Sequence, residues 1–205
     1  MSLALIGACL PHCSASFRTS PLIQSTSVGR PAIKSSCIDD RANGSIANIL
    51  RLNNLNNSIN ALSKKPLKEQ LSIRKYRQCV AMAQQEALVL LDYAQIKPAK
   101  LTAVPTHLIP NLLSLPNPLF KLLSRKMLAI DPLARSSMQD DLIAGRPTEV
   151  DWINGEVLKL AEQCGRQAPI NARLIALIKQ AEKSSPSFSM SADALKDQLK
   201  SAAKQ

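Results

Sequence analysis

Tyr76-Arg77-Gln78-Cys79-Val80-Ala81-Met82-Ala83-Gln84-Gln85-Glu86-Ala87-Leu88-Val89-Leu90-Leu91-Asp92-Tyr93-Ala94 is the stretch on which the fold turns. Within it Tyr76, Val80, Ala83, Ala87, Leu90, Leu91 and Ala94 recur in steps of three and four, which lines them along one face of an α-helix. The pattern stops before Pro98, a residue that cannot continue a helix. The β-branched and aromatic alternation of strands is hard to find anywhere in the chain. An all-α fold is expected.

Upstream, Ile46, Ile49, Leu50, Leu52, Leu55, Ile59 and Leu62 form another helical stripe, broken at Pro66. Downstream, four prolines between Pro105 and Pro118 predict short helical turns, and Phe120, Leu123, Met127 and Leu128 a further brief helix. Thr148 reads as an N-cap, with Glu149 and Asp151 in the positive first turn of the helix it opens. That helix turns Val150, Ile153, Val157, Leu160, Ala161 and Cys164 inward and ends at Gly165. Pro169 opens the next one, with Ile170, Leu174, Leu177, Ile178 and Ala181 on one side. After a Ser-rich hinge at 184–191, Leu195 and Leu199 are the only large apolar residues of a weak terminal helix, expected to fray or to dock late.

The first 45 residues differ from the rest. A short apolar run from Leu3 to Leu10 leads into Ser-rich sequence with no acidic residue before Asp39. No positive charge precedes the apolar run, as a secretory signal would require, and no stretch nears the ~20 apolar residues of a membrane span. The expected organisation is an unpacked or unrelated leader at 1–45, a helical domain at 46–183, and a hinge with terminal helix at 184–205.

The net charge of +11 invites a nucleic-acid or membrane partner. The basic residues are scattered and aromatics make up only 3%, so the clustering and stacking platforms of a nucleic-acid groove are missing. Neither partner is expected. Five irregularly spaced cysteines exclude a disulfide framework and zinc-site spacing, so no metal is expected and a reducing, cytoplasmic setting fits best. The six glycines are isolated, and neither G-x-G-x-x-G nor a P-loop can be drawn among them.

One polar segment stands out. Ser136-Ser137-Met138-Gln139-Asp140-Asp141 leads through Gly145-Arg146-Pro147 into Thr148-Glu149-Val150-Asp151-Trp152-Ile153-Asn154-Gly155, with a carboxylate twelve residues after Ser137. This segment resembles the signature of the C-terminal domain of ketopantoate reductases (2-dehydropantoate 2-reductases). Asn54-Leu55-Asn56-Asn57-Ser58-Ile59-Asn60-Ala61-Leu62-Ser63 is similar to that family's Asn-rich substrate helix. Pro66-Leu67, Tyr76-Arg77, Ile130-Asp131-Pro132 and Pro169-Ile170-Asn171 also fit, so the resemblance runs from about Leu52 to Lys183.

The resemblance implies a helical bundle that, in a two-domain enzyme, closes over ketopantoate beside a Rossmann domain holding NADPH. A lysine there stabilises and protonates the alkoxide formed by hydride transfer. Carried over, Asn54 and Asn57 face the substrate, Ser137 binds its carboxylate, and Glu149 sits at the junction of cofactor and substrate. These side chains are expected to converge in an open, wet pocket. The lysine position, four residues before the first asparagine, is Leu50 here, and Arg51 is a poor proton donor. No Rossmann sequence is present either, and the match starts abruptly near Leu52.

The expectation is therefore a substrate domain that binds no NADPH and reduces nothing by itself. Two alternatives stand beside it: half of a split reductase completed by a separate Rossmann subunit, and a non-catalytic interaction protein. A homodimer is also left open.

Overall fold

The computed structural model describes residues 52–98, 104–124, 131–184 and 188–204. These residues lie within one unit spanning Ile33–Gln205. The leader at 1–45, Leu50, Met127 and Leu128 fall outside them. The described residues form nine α-helices and two 3-10 turns, with no strand among them, so the fold is all-α.

A 3-10 turn at Leu52–Leu55 runs into α1 (Asn56–Ser63), followed by α2 (Leu67–Ser72) and α3 (Arg74–Tyr93). A second 3-10 turn, Thr106–Leu108, leads to α4 (Ile109–Ser114) and α5 (Asn117–Leu123). The remaining helices are α6 (Ser137–Ile143), α7 (Val150–Gln163), α8 (Pro169–Ser184) and α9 (Ala192–Ala202). Prolines open three of them: Pro110 and Pro118 in the first turns of α4 and α5, and Pro169 at the head of α8. Gly145 and Gly165 follow α6 and α7 at positive φ, where a side chain would be strained.

α3 is the central element, twenty residues or about 30 Å long. Its stripe is buried as the periodicity predicts, from Tyr76 through Leu91, with Ala94 partly buried at the end. α4, α8, α9 and the first 3-10 turn pack around it, while α7 pairs with α8, and α1 with α6. Cys79 is fully buried, and burial pushes its thiol pKa up to about 12, so it acts as a small apolar side chain.

Arg77 is the polar anchor of the bundle. Its side chain is fully buried, yet every N–H finds an acceptor. Nε donates to Leu113 O (3.0 Å), Nη1 to Leu71 O and Ser72 O (2.8 and 3.1 Å), and Nη2 to Leu115 O and Asn117 Oδ1 (2.9 Å each). The guanidinium also lies 4.0 Å from the centroid of the buried Phe120 ring. One side chain thus satisfies carbonyls at the ends of α2 and α4 and holds the start of α5. Burial lowers the Arg77 pKa, and Arg74 adds to the effect.

Three local expectations are corrected. The helix around Phe120 is α5, which buries Phe120 but leaves Leu123 58% exposed, because only one face of so short a helix meets the bundle. The terminal helix is docked rather than frayed: Leu195 and Leu199 are fully buried against α3 and α8. Polar contacts secure it, including Met190 N–H to Leu62 O (2.8 Å), Tyr76 O–H to Met190 O (2.7 Å) and a Lys75–Asp193 ion pair. Thr148 is also not the N-cap of α7, as shown below.

Candidate functional site

The Asn-rich α1 carries its asparagines on different sides, and the fold uses them differently. Asn60 is fully buried. Its Nδ2 donates to Lys65 O (2.9 Å) and Gln70 Oε1 (3.4 Å), and its Oδ1 accepts from Ser136 N (3.0 Å). Gln70 Nε2 in turn donates to Asn56 Oδ1 at 2.9 Å. This chain of amides fastens the loop ahead of α6 onto α1, helped by Leu67 N–H to Ala134 O (2.8 Å). Ser136 then caps α6, its hydroxyl accepting from Gln139 N at 3.2 Å. Ser137 is thereby fixed as the first residue of α6, beside Asn57 of α1.

Glu149 approaches from the other side. The loop carrying it leaves α6 at Gly145, and the Arg146–Asp141 ion pair (2.7 Å) ties Arg146 back to α6. Thr148 N–H and O–H both donate to Glu182 Oε1 of α8, at 2.9 and 2.7 Å. The Thr148 hydroxyl donates to that carboxylate and accepts only a long contact from Val150 N–H (3.5 Å), while the N-cap position falls one residue later, on Glu149, without a side-chain cap. Burial alone would raise the Glu182 pKa, but the two Thr148 donors and the Lys179 ammonium (3.3 Å) outweigh it and hold it below the ordinary range. Lys179 also pairs with Asp151 in the first turn of α7, at 2.7 Å.

The two halves meet at one oxygen. Ser137 Oγ donates to Glu149 Oε1 at 2.5 Å, and Asn57 Nδ2 donates to the same oxygen at 3.4 Å. Asn57 and Glu149 are half-buried and Ser137 is exposed, so the cluster faces solvent. Two neutral donors and one carboxylate suit an oxygen-rich polar ligand: the donors can turn to a ligand's carboxylate, while Glu149 can accept from a hydroxyl.

Three of the four expected site residues thus come together. Asn54 lies half-buried in the 3-10 turn, and no hydrogen bond joins it to the other three. Asn57, three residues further on, makes the contact with Glu149. The supporting residues Asn60, Gln70 and Glu182 were not anticipated. The Asn-rich segment did contain Asn60, but its local sequence does not say which amide faces inward.

The phosphates of a dinucleotide would need backbone N–H groups at a Gly-rich helix start. Of the glycines among the described residues, Gly145 and Gly165 follow helix ends and Gly155 lies inside α7. None opens a helix, so these residues do not fit a dinucleotide's phosphates. Among the described residues no group of three or more His, Cys, Asp or Glu is placed to hold a metal ion. No described helix is long and apolar enough to cross a membrane.

Residues 43–182 match the family described as the ketopantoate reductase PanE/ApbA C terminal. A 2-dehydropantoate 2-reductase of Vibrio cholerae is 45% identical over 49 residues, which cover 24% of this chain and 17% of that enzyme. The family match takes in both the Asn-rich helix and the Ser137–Glu149 segment, with all nine helices but α9 starting inside it. On that match and this fold, the chain belongs to the ketopantoate reductase C-terminal domain family.

Proposed function

We propose that this chain is a substrate-binding helical domain for 2-dehydropantoate or its product pantoate, and that its 205 residues alone do not carry out the reduction. The observation that carries the reading is the convergence of Ser137 and Asn57 on Glu149, across separations of 12 and 92 residues. A merely structural remnant has no need to hold two donors and a carboxylate together at an exposed surface.

Ser137 is suited to donate to the ligand carboxylate, and Asn57 and Asn54 to carry amides toward its remaining oxygens. Glu149 orients these donors and accepts from the ligand hydroxyl. A ligand carboxylate beside Glu149 needs a cation to offset the repulsion. Among the described residues no ammonium or guanidinium hydrogen-bonds or pairs with Glu149. Leucine at position 50 has no proton to supply to an alkoxide. Affinity is accordingly weak, at millimolar level or about 4 kcal/mol.

Ligand-observed NMR with pantoate tests the reading. Saturation transfer that disappears in Ser137→Ala and in Glu149→Leu supports it, and identical transfer in all three proteins overturns it. A steady loss of nicotinamide absorbance with NADPH, ketopantoate and the chain alone, above a boiled control, overturns the lack of turnover. A separately supplied Rossmann protein that produced turnover would favour the split-enzyme form of the same site.

A further inference from the structure

A second recess lies away from that cluster. It has a volume of about 800 Å³ and none of Asn57, Ser137 or Glu149 lines it. This is within the range of roughly 300–1,000 Å³ in which small-molecule sites fall. Its floor is apolar, formed by Ala81, Met82, Val89 and Tyr93 of α3 together with Pro110 and Ile170. Val89, toward the C-terminal end of the central helix, is 57% exposed there.

The rim is cationic. Arg166, Lys196 and Lys200 line the recess, the two lysines one helical turn apart on α9. Among the described residues none of the three has a carboxylate within ion-pair distance. Arg166 stacks 4.3 Å from the centroid of the Tyr93 ring, and Lys196 Nζ donates to the neutral Gln78 Oε1 at 2.6 Å. Glu86 is the one acidic residue in the lining, and its carboxylate is occupied by donors at the start of α8 and pairs with none of the three cations. It accepts from Ile170 N and Asn171 N (2.9 Å each) and from Asn171 Nδ2 (2.7 Å), closing the start of α8. Three cations with no acidic partner among the described residues thus border an apolar floor.

We propose that this recess binds an amphipathic organic anion, an apolar chain or ring system ending in a single acidic head. The tail covers Met82, Val89 and Ile170, and the head is held among Arg166, Lys196 and Lys200. A nonpolar ligand would leave the three charges unused, and a small inorganic anion would leave the apolar floor bare. Two of the three cations come from α9, beyond the residues 43–182 that match the family. The site is therefore a feature of this chain's C-terminal helix, independent of the Ser137–Glu149 cluster.

Titration calorimetry of the full 205-residue chain with dodecanoate, dodecanol and acetate tests the proposal. Dodecanoate is expected to bind saturably at one site, with dodecanol and acetate each at least roughly tenfold weaker, because each lacks one half of the match. The double variant Lys196→Glu/Lys200→Glu should weaken dodecanoate by a similar factor. Val89→Glu, at an exposed position, should weaken it independently, and both variants should melt as the parent does. Absence of saturable dodecanoate binding overturns the proposal. So does equal affinity for dodecanol, or dodecanoate binding unchanged in the two variants.

Discussion

Ser137 and Glu149 are joined by a hydrogen bond of 2.5 Å although they stand twelve positions apart, with the rest of α6 and the loop after it between them. The bond fixes the carboxylate against the serine and links the two ends of that segment. Because Ser137 is solvent-exposed, water can replace the lost partner. Ser137→Ala should therefore cost no more than about 1 kcal/mol in urea unfolding. A loss of several kcal/mol would mean that the pair is chiefly a structural clasp.

Arg77 offers the opposite case. Arg77→Met would leave five acceptors at the ends of α2 and α4 and the start of α5 without their donor, Leu113 O in a buried bond and the others in part-buried ones. A destabilisation of roughly 3 kcal/mol or more is expected, and Arg77→Lys should recover little of it because an ammonium cannot reproduce the fork. Urea midpoints of the three proteins check this.

Lys64 ends α1 in the left-handed region, at φ 51°. Its Cβ is strained there, whereas glycine is not. Lys64→Gly should relieve about 0.5–1 kcal/mol of backbone strain, read as a Tm above that of Lys64→Ala, which removes the same side chain but keeps the Cβ. Equal Tm values for the glycine and alanine variants would show that the left-handed backbone at this position costs nothing.

The Glu182 carboxyl has a folded pKa below its ordinary value of 4.5. A depressed pKa means that the folded state binds this proton less readily than the unfolded one. The resulting stability is fully present above the unfolded value and is lost as the pH falls through the folded value. Below about pH 4.5 the parent should therefore lose more stability than Glu182→Gln. Parallel acid unfolding curves for the two proteins would contradict this.

Truncation after Ser184 removes α9 and with it the buried Leu195 and Leu199. Two buried leucines at roughly 2 kcal/mol each predict a loss near 4 kcal/mol, apart from the newly exposed face of α3. Thermal unfolding that is unaltered by the truncation would show that α9 is dispensable to the bundle.

The central helix was legible because its stripe is long and its period unambiguous, from Tyr76 to Leu91. The terminal helix α9 was legible with its two leucines, but its firm docking was not, since two large apolar residues in eleven give a weak local signal and the docking face belongs to other helices. Thr148 misled for a related reason. A threonine before an acidic first turn has the composition of a cap, but the helix starts one residue later, after Glu149, and the Thr148 hydroxyl donates to Glu182, 34 residues away, keeping only a 3.5 Å contact from Val150 N–H. The family signature brought Ser137, Asn57 and Glu149 to notice, yet it could not give the phase of the Asn-rich helix. That phase depends on where the 3-10 turn at Leu52–Leu55 becomes α-helix, because each 3-10 residue turns about 20° further than an α residue.

The acceptors around Arg77 have a bearing on how this bundle tolerates sequence change. Four of the five are main-chain carbonyls, at positions 71, 72, 113 and 115. A carbonyl is present whatever side chain the residue carries. The hub therefore restricts those four positions in backbone path and not in amino-acid type. Exposed Ser72 can change in composition without loss of its carbonyl's bond, Leu113 is held separately by its place in the core, and the geometry of three helix ends stays tied to one arginine.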